Sequence, residues 1–324
     1  LLWRNSPAGF AGAWFFAILA PSSSVIPIVT EVAAEHRLYL PLAAVCVLAV
    51  AGAYATLRPK DLHGMVLPAC GVVIVLFALG TFLRNMDYRT PVSIWTDTVE
   101  KRPANVRAHY NLAKALEEEG RLDEAIRHYT EKVLPLKPDY VEARVSLGLA
   151  LARTGRFNDA MTHYEAALKA RPDLAEAHNN MGLLLAQQGR TGEALARYGE
   201  AVRLKPGYAE AWYNMANALA DAGRNEEAVS GYREAIRLRP DFTAAHFNLA
   251  VTLEQTGRES EAEGHYAEAI RHRPDYARAH ASLGMLLARR GDGERARHHL
   301  ETALRHDPGM IPARQFLEQL NGSR

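Results

Sequence analysis

The last two thirds of the chain repeat every 34 residues. In residues 209–242, Trp212, Met215, Ala216, Leu219, Gly223, Ala228, Tyr232, Ala235 and Pro240 stand at repeat positions 4, 7, 8, 11, 15, 20, 24, 27 and 32. Residues 175–208 return to that register with Met181, Gly182, Gly189, Ala194, Tyr198, Ala201 and Pro206. Residues 141–174, 243–276 and 277–310 do so again. A unit of this length is a helix–turn–helix, and one such pair cannot bury its own apolar face. Stability must come from stacking on neighbours, so the period calls for an α-solenoid.

Each recurring residue type has a packing reason. Ala and Gly at positions 8, 20 and 27 (Gly148, Gly182, Gly284, Ala125, Ala160, Ala262, Ala296) let helices approach closely, and large residues at 7, 11 and 24 (Leu147, Leu249, Leu283, Tyr129, Tyr164, Tyr266) fill the gaps. Gly at position 15 suits the left-handed residue that ends a helix, and Pro at position 32 stops the second helix. This pattern resembles the tetratricopeptide-repeat (TPR) family. The fold class expected is all-α, with about six helix pairs at 106–140, 141–174, 175–208, 209–242, 243–276 and 277–310. The first pair is one residue longer than the others and places Pro135 inside its second helix, which predicts a kink or bulge there. Trp95, Thr98 and Pro103 match positions 24, 27 and 32, so 91–105 reads as a half repeat that begins the stack. Residues 311–324 carry Phe316, Leu317 and Leu320 on one helical face and read as a closing cap.

Composition separates these repeats from what precedes them. The chain has 324 residues, is 48% hydrophobic and carries a formal net charge of +1. Before Thr90 there are six Lys/Arg and four Asp/Glu, which leaves 32 bases and 33 acids for the repeats. A charge-balanced repeat domain has no electrostatic footprint for nucleic acid. Residues 39–57 and 65–83 are apolar stretches long enough to cross ~30 Å of hydrocarbon. A third, at 10–29, is broken by Pro21, three serines and Pro27. The expectation is therefore a membrane segment over 1–90. Arg58 and Lys60 mark the link between the second and third spans as cytoplasmic, which sends the repeats to the opposite side. The first residue is Leu1, and we expect the chain to be a fragment of a longer protein. Cys46 and Cys70 both lie in apolar runs and do not report a redox compartment.

One non-repeat motif is more specific. Ala34-Glu35-His36-Arg37-Leu38-Tyr39-Leu40-Pro41 precedes a span and then the repeats, and follows Trp14-Phe-Phe-Ala-Ile-Leu-Ala-Pro-Ser-Ser-Ser-Val-Ile-Pro27. Both are similar to the transmembrane-and-TPR O-mannosyltransferases and their bacterial relatives. The resemblance implies a polytopic GT-C-type glycosyltransferase that uses a polyprenyl-phosphate sugar, with TPRs in the lumen or periplasm. It also implies that only the last membrane helices are present, in a bacterial inner membrane. Glu35, His36 and Arg37 would then sit near the lipid phosphate, since a guanidinium can donate two hydrogen bonds to phosphate oxygens. The family's catalytic acid lies in an early outside loop, and nothing here corresponds to it. No catalytic residue is assigned, and no cofactor.

In TPR folds the first helices line the concave surface. Position 6 there reads Asn111, Ser146, Asn180, Asn214, Asn248 and Ser282. An amide donates and accepts at once, so a row of them can pair with an extended polypeptide backbone. The row is similar to the asparagine ladder of O-GlcNAc transferase TPRs, which holds acceptor polypeptide. Tyr110, Lys114, Asn179, Tyr213, Asn217 and Phe247 extend this lining. The thirteen His fall mostly at position 4 (His109, His178, His246, His280) and position 23 (His128, His163, His265, His299). Equivalent positions are one repeat apart, too far for shared coordination at ~2 Å bonds, so no metal site is expected. The sequence thus points to a membrane-anchored TPR protein whose groove holds polypeptide for an extracytoplasmic glycosyltransferase. The alternative is a membrane-anchored scaffold for envelope assembly or secretion, with no enzyme.

Overall fold

The computed structural model describes residues 90–322. The expected spans at 10–29, 39–57 and 65–83, together with Glu35, His36 and Arg37, lie outside the described residues. Among the described residues all regular structure is helical, and no helix is long and apolar enough to cross a membrane. The chain divides into two compact units after Lys137.

In the first unit, α1 (Pro91–Lys101) opens on a reciprocal cap. Thr90 Oγ1 accepts from the Ser93 amide at 3.1 Å, and Ser93 Oγ accepts from the Thr90 amide at 3.3 Å. Pro91, which has no amide proton to satisfy, fills the first helical position. α2 (Val106–Glu118) is capped by Asn105 Oδ1, which accepts from the Ala108 amide at 3.1 Å. α1 packs on α2. α3 (Leu122–His128) runs into a wide π-type turn at Tyr129–Val133 and then a short α4 (Leu134–Leu136). This is the expected bulge. Pro135 supplies no amide proton, and the extra residue is absorbed by one wider turn in which the Leu134 amide donates to Tyr129 O. Leu112, Leu116, Ile126, Tyr129 and Val133 form the buried interior.

The second unit contains five helix pairs and a cap. These are α5 (Val141–Arg153) with α6 (Phe157–Ala170), α7 (Ala175–Gln187) with α8 (Thr191–Leu204), and α9 (Ala209–Asp221) with α10 (Asn225–Leu238). They are followed by α11 (Thr243–Gln255) with α12 (Glu259–His272), α13 (Ala277–Arg289) with α14 (Gly293–His306), and the cap α15 (Ile311–Gly322). Each pair packs internally, and each second helix packs on the next first helix. The turn inside every pair is built around position 15. Gly155, Gly189, Gly223, Gly257 and Gly291 all have φ between +74° and +81°. There a left-handed residue lets the following amide reach back to close the helix, as Arg156 does to Leu151 O at 2.9 Å.

Position 8 shows why small residues are needed between the paired helices. A Cβ on Gly148 would lie 2.6 Å from the Tyr164 ring, and one on Gly182 would lie 2.6 Å from the Tyr198 ring. Where position 8 is Ala, the position-24 tyrosine hydroxyl finds a polar partner on the first helix. Tyr232 Oη donates to Asn217 Oδ1 at 2.7 Å and Tyr266 Oη to Glu254 Oε2 at 2.8 Å. In the first unit Tyr129 Oη donates likewise to Glu117 Oε1 at 2.6 Å. These tyrosines are almost fully buried, and a buried hydroxyl without a partner costs ~1–3 kcal/mol. At the C-terminus Phe316, Leu317 and Leu320 of α15 cover Ala281, Leu300 and Ala303, as expected of a cap.

Candidate functional site

Position 4 is a hydrogen-bond donor in every repeat, and its target is constant. The carbonyl of the Pro six residues earlier receives His109 Nε2 at 2.9 Å, Arg144 Nη2 at 2.7 Å and His178 Nε2 at 3.0 Å. It receives Trp212 Nε1 at 3.0 Å, His246 Nε2 at 3.1 Å and His280 Nε2 at 3.1 Å. In α15, Arg314 Nη2 makes the same contact to Pro308 O at 2.7 Å. His, Arg and Trp share a donor on a long flat group, and that is what the site selects. A carbonyl only accepts, so Nε2 of these histidines carries the proton and Nδ1 holds the lone pair.

The antiparallel hairpin brings position 23 against that Nδ1. His109 and His128 face each other Nδ1 to Nδ1 at 3.4 Å, His246 and His265 at 3.1 Å, and His280 and His299 at 2.9 Å. The 34-residue spacing separates like positions of different repeats, whereas unlike positions of one repeat meet across the hairpin. Where only one partner is His the ring nitrogen is orphaned: His163 Nδ1 opposite Arg144, and His178 Nδ1 in the repeat with Arg197 at position 23. Where position 4 is Trp212, position 23 is Gly231, on which a Cβ would lie 3.0 Å from Ala216 Cβ. Burial, and then the neighbouring His280, pushes His299 down to about 4. Burial likewise lowers His128, His163, His246, His265 and His280.

The fifth repeat adds two further groups to its pair. Ligating atoms of His246, Glu268 and His272 lie within 4.8 Å of one another. Glu268 and His272 share one face of α12, four residues apart.

The asparagine row behaves differently from a free lining. Asn214 Nδ2 donates to Asn179 Oδ1 at 3.0 Å, one repeat earlier. Asn248 Nδ2 donates to both Tyr213 Oη at 3.0 Å and Asn217 Oδ1 at 2.9 Å, again one repeat earlier. Asn180 Oδ1 accepts weakly from Asn179 Nδ2 at 3.4 Å. In the fourth and fifth repeats position 6 therefore ties the first helix to the one before it through the amide nitrogen. Asn180, Asn214 and Asn248 are half-buried. Asn111 occupies the same position in the first unit and is half-buried as well, beside Tyr110, whose ring lies 6.0 Å from that of Tyr129. Tyr213 is half-buried, its ring 4.8 Å from Phe242. Phe247 does not line an open surface. It is 4% exposed and packs between Tyr266 and Tyr276, because position 5 of the fifth repeat is covered by the aromatic that ends that repeat. Two residues with the opposite property were not singled out from the sequence. Leu149 and Leu183 occupy position 9, the position of Asn217, and both are 38% exposed. Position 9 reads Lys114, Leu149, Leu183, Asn217, Val251 and Met285, and the switch between polar and apolar there was the available signal.

The chain matches, over residues 33–315, the family model described as the cilia and flagella-associated protein 70 C-terminal domain. Among curated relatives it is 30% identical over 122 residues to protein O-mannosyl-transferase Tmtc3 of Drosophila melanogaster, covering 37% of this chain and 13% of that protein. It is 30% identical over 109 residues to protein O-mannosyl-transferase TMTC4 of Mus musculus, covering 34% of this chain and 15% of that protein. Only a small part of each relative's length is thus represented. Among solved structures, PilF of Pseudomonas aeruginosa superposes with a TM-score of 0.60 at 20% identity, over 66% of this chain and 97% of that one. The APC/C hetero-tetramer Cut9-Hcn1 gives 0.61 at 16% identity, over 90% of this chain and 57% of that one. Both likenesses concern the fold. With its helix pairs, its position-15 glycines and a family match across most of its length, the chain belongs to the TPR family of the cilia and flagella-associated protein 70 C-terminal domain.

Proposed function

We propose that the first-helix face of the repeats binds extended polypeptide, and that it does so as the C-terminal part of a GT-C-like protein glycosyltransferase presenting acceptor protein outside the cytoplasm. The observation that carries the binding reading is the asparagine row. The Asn214 and Asn248 nitrogens are spent between repeats, which fixes those amides and leaves their Oδ1 atoms to receive backbone N–H groups of a ligand. A preset acceptor row reads backbone and is indifferent to side chains, which suits many acceptor sequences. Leu149 and Leu183 add an apolar step at one end of that face. The glycosyltransferase reading is supported by the Glu35-His36-Arg37 motif and by the similarity to O-mannosyl-transferases. In that reading Arg37 contacts a lipid-linked sugar phosphate, and the membrane segment precedes Thr90.

Unfolded fluorescent peptides titrated onto the full chain test the groove. Leu149→Ser with Leu183→Ser should weaken binding ~10-fold while barely moving the unfolding midpoint, because both side chains are already partly in water. Unchanged affinity in that double variant sinks the groove as drawn. Arg37→Ala in the longer protein should abolish sugar transfer and leave peptide binding intact. A reporter fused after Arg324 should be active only outside the cytoplasm.

A further inference from the structure

We propose that the fifth repeat binds one divalent transition-metal ion, zinc above all, through His246, Glu268 and His272. Nothing in the polypeptide-binding reading requires this, and it stands on separate residues.

The donor set forms by folding. Glu268 and His272 are four residues apart on α12 and point the same way, and the hairpin sets His246 of α11 opposite them. Their ligating atoms lie within 4.8 Å of one another. Zinc bonds of ~2.0–2.2 Å place tetrahedral ligands ~3.3–3.5 Å apart. Binding therefore requires the half-buried Glu268 and His272 side chains to rotate towards His246. A cationic group already lies between these two residues. Arg271 Nη2 is 2.6 Å from Glu268 Oε2 and 2.9 Å from His272 Nε2. A guanidinium only donates, so His272 Nε2 holds a lone pair, which is the state a metal ligand needs. Arg271 is 63% exposed and can leave without opening the core.

His246 is held from behind. Its Nε2 proton goes to Pro240 O at 3.1 Å, which is the outer-shell arrangement common to metal-ligating histidines and puts the lone pair on Nδ1, where a metal would replace the hydrogen bond from His265. His265 Nδ1 lies 3.1 Å from His246 Nδ1 but is outside the set of three ligating groups. The sixth repeat is an internal contrast. His280, His299 and His306 repeat the imidazoles, but Thr302 stands where Glu268 does, its hydroxyl donating to His298 O at 2.8 Å. Two imidazoles and a carboxylate favour zinc, nickel or copper over calcium or magnesium, which take oxygen ligands.

Calorimetric titration of the full chain with zinc chloride tests this, with absorption of the cobalt form reporting coordination. One equivalent should bind. Glu268→Gln and His272→Ala should each lower affinity by more than ~100-fold, beyond the ~10–100-fold that outer-shell losses cost. His280→Gln should change nothing. Arg271→Ala should tighten binding several-fold by removing the competing cation, and it leaves every ligand in place should a ligand variant fold poorly. No zinc binding at micromolar concentration, equal loss in His280→Gln, or weaker binding in Arg271→Ala would each overturn the site.

Discussion

At the residue scale the repeats are a set of matched exceptions to one template. Position 8 is small because position 24 is a buried tyrosine, and position 4 is a donor because a proline carbonyl ends the preceding helix. The first match gives a test with opposite signs in one repeat. Gly182→Ala puts a methyl 2.6 Å from the Tyr198 ring and should destabilise by ~1–2 kcal/mol, overpacking outweighing the better helix propensity of Ala. Gly199→Ala, on α8 with nothing within 4 Å of its Cβ, should stabilise by up to ~1 kcal/mol. Denaturant unfolding of the two variants reads both, and a stabilised Gly182→Ala would refute the packing account. The exposed Arg–carboxylate pairs at the start of the second helices, such as Arg190 with Glu193 at 2.7 Å, recur as regularly but contribute little, because both partners stay in water.

At the scale of the helix pair, the histidines couple stability to pH. In α13 and α14, His280 and His299 are neutral in the fold, with His298, His306, Arg295 and Arg305 adding positive charge nearby and Glu263 opposing it. His299 is pushed down to about 4, whereas in the unfolded chain a histidine titrates near ~6.5. Between those values the unfolded state binds the extra proton. The contribution is therefore complete above pH ~6.5 and is lost as pH falls towards about 4. Discounted for partial exposure it amounts to ~1–2 kcal/mol. Thermal unfolding from pH 7 to 4 should fall less steeply for His299→Gln than for the parent chain, and parallel curves would remove His299 from the account. The π-type turn at Tyr129–Val133 belongs to this scale as well, since one inserted residue and Pro135 reshape a helix without disturbing the burial of Tyr129 and Val133.

At the scale of the whole molecule, a stack of repeats is held by nearest neighbours, so damage should stay local. Removing residues 311–322 exposes Ala281, Leu300 and Ala303. Amide exchange should then quicken in α13 and α14 first and leave α5 and α6 slow; uniform quickening would show that the second unit unfolds as one. The asparagine row links the same neighbours, which bears on how the groove is probed. Asn248 also holds the stack together, since it donates two hydrogen bonds across the repeat boundary. Asn214→Ala with Asn248→Ala should cost ~1 kcal/mol per lost bond as well as peptide affinity. For that reason Leu149 and Leu183 are the cleaner probes of binding.

Much of this was legible in the primary structure because a repeat compares the chain with itself. The period, the left-handed glycines, the closing helix and the disturbance at Pro135 all follow from residues whose physical demands are local: a positive φ, a missing amide proton, an apolar stripe. The helical fold class needed nothing more. What the tertiary structure alone decided is which unlike positions meet. The hairpin turns position 23 towards position 4, so histidines that look isolated along the chain face each other at about 3 Å, and one repeat gathers His246, Glu268 and His272. Stacking buries Phe247 under Tyr276 and leaves Leu183 open, although both sit on first helices. The reason is that periodicity fixes the direction a side chain leaves its own helix, whereas its neighbours are set by the packing of other helices against it.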